Sequence, residues 1–181
     1  VSNPDWDNRI NLLLAPTIAS FSTYNMNADF AVGSSTFQSV TKLNYCNSKN
    51  NFPYYDNSLQ IQRQRNSSFN TYGITEELFF KIRKKDYLSA KVWYNYDFRN
   101  IPPIATNTTP SYNENQKEKT LRSMVEWKRL ERDFSFTLRS AFIDQLMNYK
   151  NDSLNANHQY NSWINRLRFI YSGIKRLSIK P

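Results

Sequence analysis

The chain has few of the side chains on which most enzyme sites depend. Its 181 residues include one cysteine, Cys46, and one histidine, His158. A lone cysteine excludes an internal disulfide framework and a thiolate metal cage, and a lone histidine excludes a multi-histidine zinc site and leaves a Ser-His-Asp arrangement without support. The three glycines form no phosphate-binding loop. The sequence therefore predicts no catalytic site, no metal site and no cofactor.

Long apolar runs are also missing. A membrane-spanning helix needs about 18 or more consecutive apolar residues, and no stretch approaches that length. The hydrophobic fraction, 39%, is low, but aromatic residues make up 15% of the chain, which is too many for a disordered segment. We therefore expect a folded chain that would meet a bilayer only through strands.

Positive charge exceeds negative charge by nine, with 24 Lys and Arg against 15 Asp and Glu. The basic residues are dispersed along the chain and lie opposite the aromatic residues in its alternating segments. A nucleic-acid platform needs both on one surface. The pattern favours a basic surface in contact with water and predicts no nucleic-acid partner.

Alternation of apolar and polar residues dominates what is present. From Tyr87 to Phe98 the even positions are apolar or aromatic and the odd positions are mostly polar, the period of a strand with two unlike faces. A helix is the alternative for the stretch TEELFFKIRKK, but its neighbours favour a strand. The pattern predicts strands at 23–32, 36–47, 71–82, 87–100, 121–128, 134–142 and 163–171. This is an all-β fold, an antiparallel up-and-down meander of about seven or eight long strands.

The predicted connections alternate in length. Tight turns are expected near Gly33, where glycine would supply a positive φ, and near Lys85, Glu131 and Gly173, whereas 48–70, 101–117 and 150–158 read as long polar loops. One end of such a meander has only tight turns and the other only long loops, as in outer-membrane barrels. Strands of about 10 to 14 residues with aromatic residues near their ends fit the same class.

Four stretches resemble a known family. STYNMNADFAVG, NNFPYYDN, YLSAKVWYNYDFRNIPP and LRSMVEWKR together resemble the barrel of TonB-dependent outer-membrane receptors of the Bacteroidetes type, with the cobalamin-receptor-like branch as the nearest group. The resemblance runs from about Phe21 to Tyr171. It implies that residues 1–181 form a single segment of a larger transmembrane β-barrel, with the plug domain and the remaining strands absent. A start at Val1, without an initiator Met, fits an excerpt.

The resemblance also implies a function and partners. Such a receptor binds a scarce nutrient, cobalamin or another large ligand, and imports it across the bacterial outer membrane. Its partners would be outer-membrane lipid, its own plug domain and, through the plug, the TonB complex. The expected lumen-facing residues are Asn25, Asn27, Asp29, Lys91, Trp93, Asp97, Arg99, Arg122 and Arg139. The candidate ligand-binding residues in the long loops are Phe52, Tyr54, Tyr55, Asp56, Arg63, Arg65 and Tyr112. No calcium site is predicted, because acidic residues in these loops are isolated.

Two other architectures fit the same pattern. A soluble lipocalin-like barrel would turn its aromatic faces inward around an apolar ligand. A self-contained eight-stranded outer-membrane barrel would match the strand count equally well.

Overall fold

The computed structural model describes residues 6–7, 9–103 and 113–173. Every regular element in this part of the chain is a β-strand. The strands are β1 (Arg9–Ala19), β2 (Thr23–Gly33), β3 (Phe37–Ser48), β4 (Pro53–Tyr55), β5 (Ile61–Arg63), β6 (Phe69–Arg83), β7 (Asp86–Asn100), β8 (Asn115–Leu130), β9 (Phe134–Lys150) and β10 (Asn155–Tyr171).

Eight of these strands form one antiparallel sheet in the order β1-β2-β3-β6-β7-β8-β9-β10, and β4 pairs with β5 in a small separate hairpin. Because sheet neighbours follow one another along the chain, the predicted up-and-down meander is confirmed. The strands of the large sheet have 11 to 17 residues, well above the roughly 5 to 6 usual in soluble sheets. Within the described residues the sheet is open, since β1 pairs only with β2 and β10 only with β9.

Strand β6 settles the one segment for which a helix was the alternative. Residues 75–83 continue the strand and pair with β7 in regular register as far as Lys81, where a bulge shifts the pairing. Pairing with the two neighbouring strands outweighs the helix propensity of TEEL. Only in the extended conformation do the alternate apolar side chains of β6 lie on one face of the sheet.

The first strand was missed by the sequence analysis. Leu12, Leu13 and Leu14 interrupt the alternation in β1, and Pro16 argues against a strand. Proline is tolerated here because β1 has a single partner in the described sheet, so one side of its backbone has no strand to bond.

Two predicted loops are shorter than expected. Strand β8 begins at Asn115, six residues before the predicted start, and β10 begins at Asn155, so a four-residue turn replaces the predicted loop 150–158. These extensions have polar residues on both faces, as in Lys117 to Thr120 and Asn157 to Asn161. Without an apolar face they give no alternation to detect.

The connections define two ends of the sheet. The turn end carries 34–36, 84–85 and 131–133, all short, as predicted. The loop end carries the long connections 49–68 and 101–114 but also the short turns 20–22 and 151–154, so the expected strict alternation of short and long connections is wrong. The expected positive φ at Gly33 is also wrong. Positive φ angles occur at non-glycine residues instead, for example at Phe21 (61°) and Ser22 (56°) in the turn between β1 and β2.

Burial in this sheet is the reverse of a soluble protein's. We call the face that carries Lys91 the polar face and the face that carries Val92 the apolar face. The strand side chains buried on the polar face are Gln38, Ser48, Glu77, Phe79, Lys91 and Thr120. Only Phe79 among them is apolar, whereas large apolar side chains on the other face are exposed along most of the strands. Because the buried strand side chains lie mainly on the polar face, we infer that the sheet curls toward that face.

Candidate functional site

The predicted lumen residues share the polar face. One row of register partners crosses five strands through Asp29, Lys42, Thr75, Trp93 and Arg122. Alternate residues of a strand share a face, so this face also carries the other predicted lumen residues. They are Asn25 and Asn27 on β2, Lys91, Asp97 and Arg99 on β7, and Arg139 on β9. The assignment to a lumen remains a prediction, but the common face is a feature of the sheet.

A buried ion pair lies at the middle of the polar face. Lys91 Nζ is 2.9 Å from Glu77 Oε1, and their side chains are 2% and 8% exposed. The same ammonium lies 4.9 Å from the centre of the Phe79 ring, a cation–π distance. These contacts join β6 to β7 and satisfy a lysine that would otherwise be buried without a partner.

A cavity of about 590 Å³ opens on the polar face at the loop end. Strands β6, β7 and β8 supply Thr71, Asp97, Arg99, Gln116 and Glu118 from their polar-face positions. The connections supply further walls: Asn50, Phe52, Gln64, Ser67 and Pro102. Its volume is in the range of small-molecule sites, and it combines aromatic surface with both signs of charge.

Hydrogen bonds between connections hold the cavity's rim. The Asn66 side chain donates to the carbonyls of Ile101 (2.7 Å) and Glu114 (2.9 Å), so the loop before β6 is tied to the connection before β8. Ser67 donates to the Asn50 carbonyl at 2.8 Å. Asn66 adopts a positive φ of 52°, which asparagine tolerates better than most residues.

The predicted ligand residues are only partly brought together. Of the loop candidates that the structure describes, only Phe52 lines the cavity, together with Asp97 and Arg99 from the lumen set. Tyr54 and Tyr55 lie on β4, Asp56 in the β4–β5 turn, Arg63 on β5, and Arg65 between β5 and β6. Tyr112 lies outside the described residues.

Several cavity residues were not predicted. Thr71, Gln116 and Glu118 were missed. Gln116 lies within the predicted loop 101–117 and Glu118 directly after it, so neither was assigned to a strand face. The alternation would have placed Thr71 on the same face as Asp97, since it was already assigned to the polar side of its strand. Nothing in the sequence indicates Asn50 or Gln64, because their positions depend on how the long connection folds.

The β4–β5 hairpin beside the cavity is organised by Asp56. Its carboxylate accepts hydrogen bonds from the backbone N–H groups of Ser58 and Gln60, each at 2.9 Å, and from the Gln62 side chain at 3.3 Å. Hydrogen bonding to the charged form, above all from Gln60, lowers the pKa of Asp56 below its ordinary 3.8. The expected ligand contact is thus a structural residue of the hairpin in this structure.

The apolar face carries aromatic clusters toward both ends. Near the loop end Tyr72 stacks on Tyr96, with ring centres 4.8 Å apart. Near the turn end Phe37 packs on Phe80 at 5.1 Å. Tyr72 and Phe80 lie on the same strand, about 26 Å apart along it at ~3.3 Å per residue. A strand tilt of about 40° reduces that to ~20 Å, close to the apolar band of a membrane barrel.

A carboxylate interrupts the apolar face of β6. Glu76 lies between Thr41 and Val92 in the sheet register. It accepts hydrogen bonds from the hydroxyls of Ser39 (2.6 Å) and Thr41 (2.5 Å). The residue that breaks the apolar pattern of β6 therefore has two hydroxyl partners on β3.

In the described residues no helix is long and apolar enough to cross a bilayer, and no group of three metal-binding side chains is found. No known family model and no curated protein matches the chain.

Proposed function

We propose that the chain is a segment of the transmembrane β-barrel of a TonB-dependent outer-membrane receptor, which binds a scarce nutrient and imports it. The reversed burial carries this proposal. A soluble sheet buries its apolar face, whereas a membrane barrel exposes that face to lipid and encloses polar groups. Lys91, the most buried of the large side chains, is charged, while Trp163 on the opposite face is 68% exposed.

Three further features support the membrane assignment. The strands are long enough to cross a bilayer with tilt, the turn end has only short connections, and aromatic rings cluster toward both ends of the apolar face. The cavity at the loop end supports a ligand-binding role for that end. A soluble lipocalin-like barrel would require the sheet to curl toward its aromatic face, opposite to the observed crowding.

The membrane assignment is tested by site-directed spin labelling of the full-length gene product in lipid bilayers. In a background in which every native cysteine, including Cys46, is replaced by serine, Val92→Cys and Tyr94→Cys place labels on the apolar face of β7, and Trp93→Cys between them is the matched control on the polar face. In a membrane barrel the first two labels collide readily with dissolved oxygen and rarely with a water-soluble nickel complex.

The control should not show that lipid signature. Equal exposure of the labels at positions 92 and 93 to the nickel complex would contradict the membrane proposal. A label at 92 that is shielded from both reagents would favour the soluble barrel with an inward aromatic face.

A further inference from the structure

The polar face carries a second pocket, separate from the loop-end cavity and at the opposite, turn end of the sheet. Its volume is about 270 Å³, and it lies across strands β8, β9 and β10. All nine lining residues occupy polar-face positions: Glu126, Lys128, Leu130, Ser135, Thr137, Arg139, Arg166, Arg168 and Ile170.

Charge in this pocket is unbalanced, with four basic side chains and one acidic one. The single acid, Glu126, is already paired with Arg139, whose Nε lies 2.8 Å from a Glu126 carboxylate oxygen. In the described part of the chain no acidic side chain lies within ion-pair distance of Lys128, Arg166 or Arg168. Three cations are thus left facing one small space.

The strand register forces these cations together. Arg166 lies directly opposite Arg139, and like charges in directly opposed positions destabilise a sheet; Glu126 offsets this charge only on the Arg139 side. Thr137 lies between Lys128 on one side and Arg168 on the other. Lys128 and Arg168 are therefore two strand spacings apart, about 10 Å, so their long side chains can converge above the threonine hydroxyl.

From this arrangement we propose that the pocket binds a phosphate group. Two guanidinium groups offer planar pairs of donors, the lysine adds a mobile ammonium, and the threonine hydroxyl adds one more donor. A doubly charged oxyanion would offset the mutual repulsion of Lys128, Arg166 and Arg168. The pocket's size fits one such group, supplied by a small phosphorylated ligand or by a lipid headgroup. This proposal depends only on the polar face and holds whether that face lines a lumen or meets bulk solvent.

The test is calorimetric titration of the full-length gene product, in a nonionic detergent at low ionic strength, with inorganic phosphate. We expect saturable binding that Arg168→Gln weakens about tenfold or more, because the variant loses a charge-assisted hydrogen bond to the anion. Arg122→Gln is the matched control, because Arg122 is an exposed arginine on the same face of β8 but outside the pocket. A second titration with dihexanoyl phosphatidylglycerol determines whether a headgroup phosphate competes for the same site.

Two results would overturn the proposal: no saturable binding of either probe, or equal weakening by Arg168→Gln and Arg122→Gln, which would indicate only a general basic surface. Circular dichroism checks that each variant folds. If Arg168→Gln does not fold, Lys128→Gln near the turn end of β8 replaces it, with the same expected loss.

Discussion

Single residues in this protein follow an unusual rule, in that charge is enclosed and apolar surface is exposed. Lys91 is the clearest case, buried at the centre of the polar face with Glu77 as its partner. Gly73 shows how closely this face is packed. A Cβ there would clash with the side-chain oxygens of Asn44 and Asn95, so glycine allows both amides to approach the β6 backbone.

Removing one member of the buried ion pair should be costly. Lys91→Met removes the ammonium group that faces the enclosed Glu77 carboxylate, and we expect a loss of about 3 kcal/mol in the free energy of unfolding. The double variant Lys91→Met with Glu77→Leu should recover part of that loss, because it also removes the enclosed carboxylate that faced the ammonium. Denaturant unfolding followed by intrinsic fluorescence measures both.

Lys42→Met is the matched control for this pair. Lys42 lies on the same face but is exposed, so its loss should be within about 0.5 kcal/mol. Equal losses for Lys91→Met and Lys42→Met, or strict additivity of the double variant, would contradict the assigned role of the pair.

Individual elements show where local sequence was informative. Strands with one apolar face, such as β2 and β7, were located closely from alternation alone. Strand β1 and the polar ends of β8 and β10 were not, because an uninterrupted leucine run and a segment polar on both faces have no period of two. The β4–β5 hairpin was read as loop, since three-residue strands are too short for any pattern.

The hairpin's stability should depend on acid. Because hydrogen bonds lower the folded-state pKa of Asp56 below 3.8, the carboxylate's contribution is complete above 3.8 and is lost as the pH falls through the lower, folded value. Amide hydrogen exchange of Ser58 and Gln60, corrected for intrinsic rates, should therefore show protection that is retained above pH 3.8 and lost as the pH falls below it. Asp56→Asn should remove this pH dependence.

The chain contains its own control for that measurement. In the β9–β10 turn, Asn151 Oδ1 accepts hydrogen bonds from the backbone N–H groups of Ser153 and Leu154, so an amide oxygen caps this turn where a carboxylate caps the other. Those two amides should keep their protection over the same pH range. A parallel loss in both turns would indicate general unfolding and contradict the role of the Asp56 charge.

At the scale of the whole molecule, the ends of the sheet differ. The turn end is compact and bears the basic pocket, whereas the loop end joins two long connections around the larger cavity. If the chain is part of a nutrient receptor, the ligand should enter at the loop end, and Arg99 and Phe52 are placed to contact it.

Uptake of labelled cyanocobalamin by cells that express the full-length gene product tests that arrangement. Arg99→Ala removes a charged donor from the cavity and should reduce uptake about tenfold at limiting ligand. Leu59→Ala is the control, because Leu59 is an exposed residue of the β4–β5 turn that does not line the cavity and is not among the predicted ligand residues. Equal uptake by both variants and the wild type would show that this cavity does not take part in cobalamin transport. Immunoblots must show equal amounts of the three proteins in the membrane.

The amino-acid sequence by itself determined that the chain forms long antiparallel strands and which side chains share a face, because the period of two is a local property of an extended backbone. It did not determine which face is enclosed. That depends on neighbours far along the chain: Lys91 is buried because β6 places Glu77 and Phe79 beside it. The two pockets are likewise tertiary features, each assembled from at least three strands whose register no local pattern specifies.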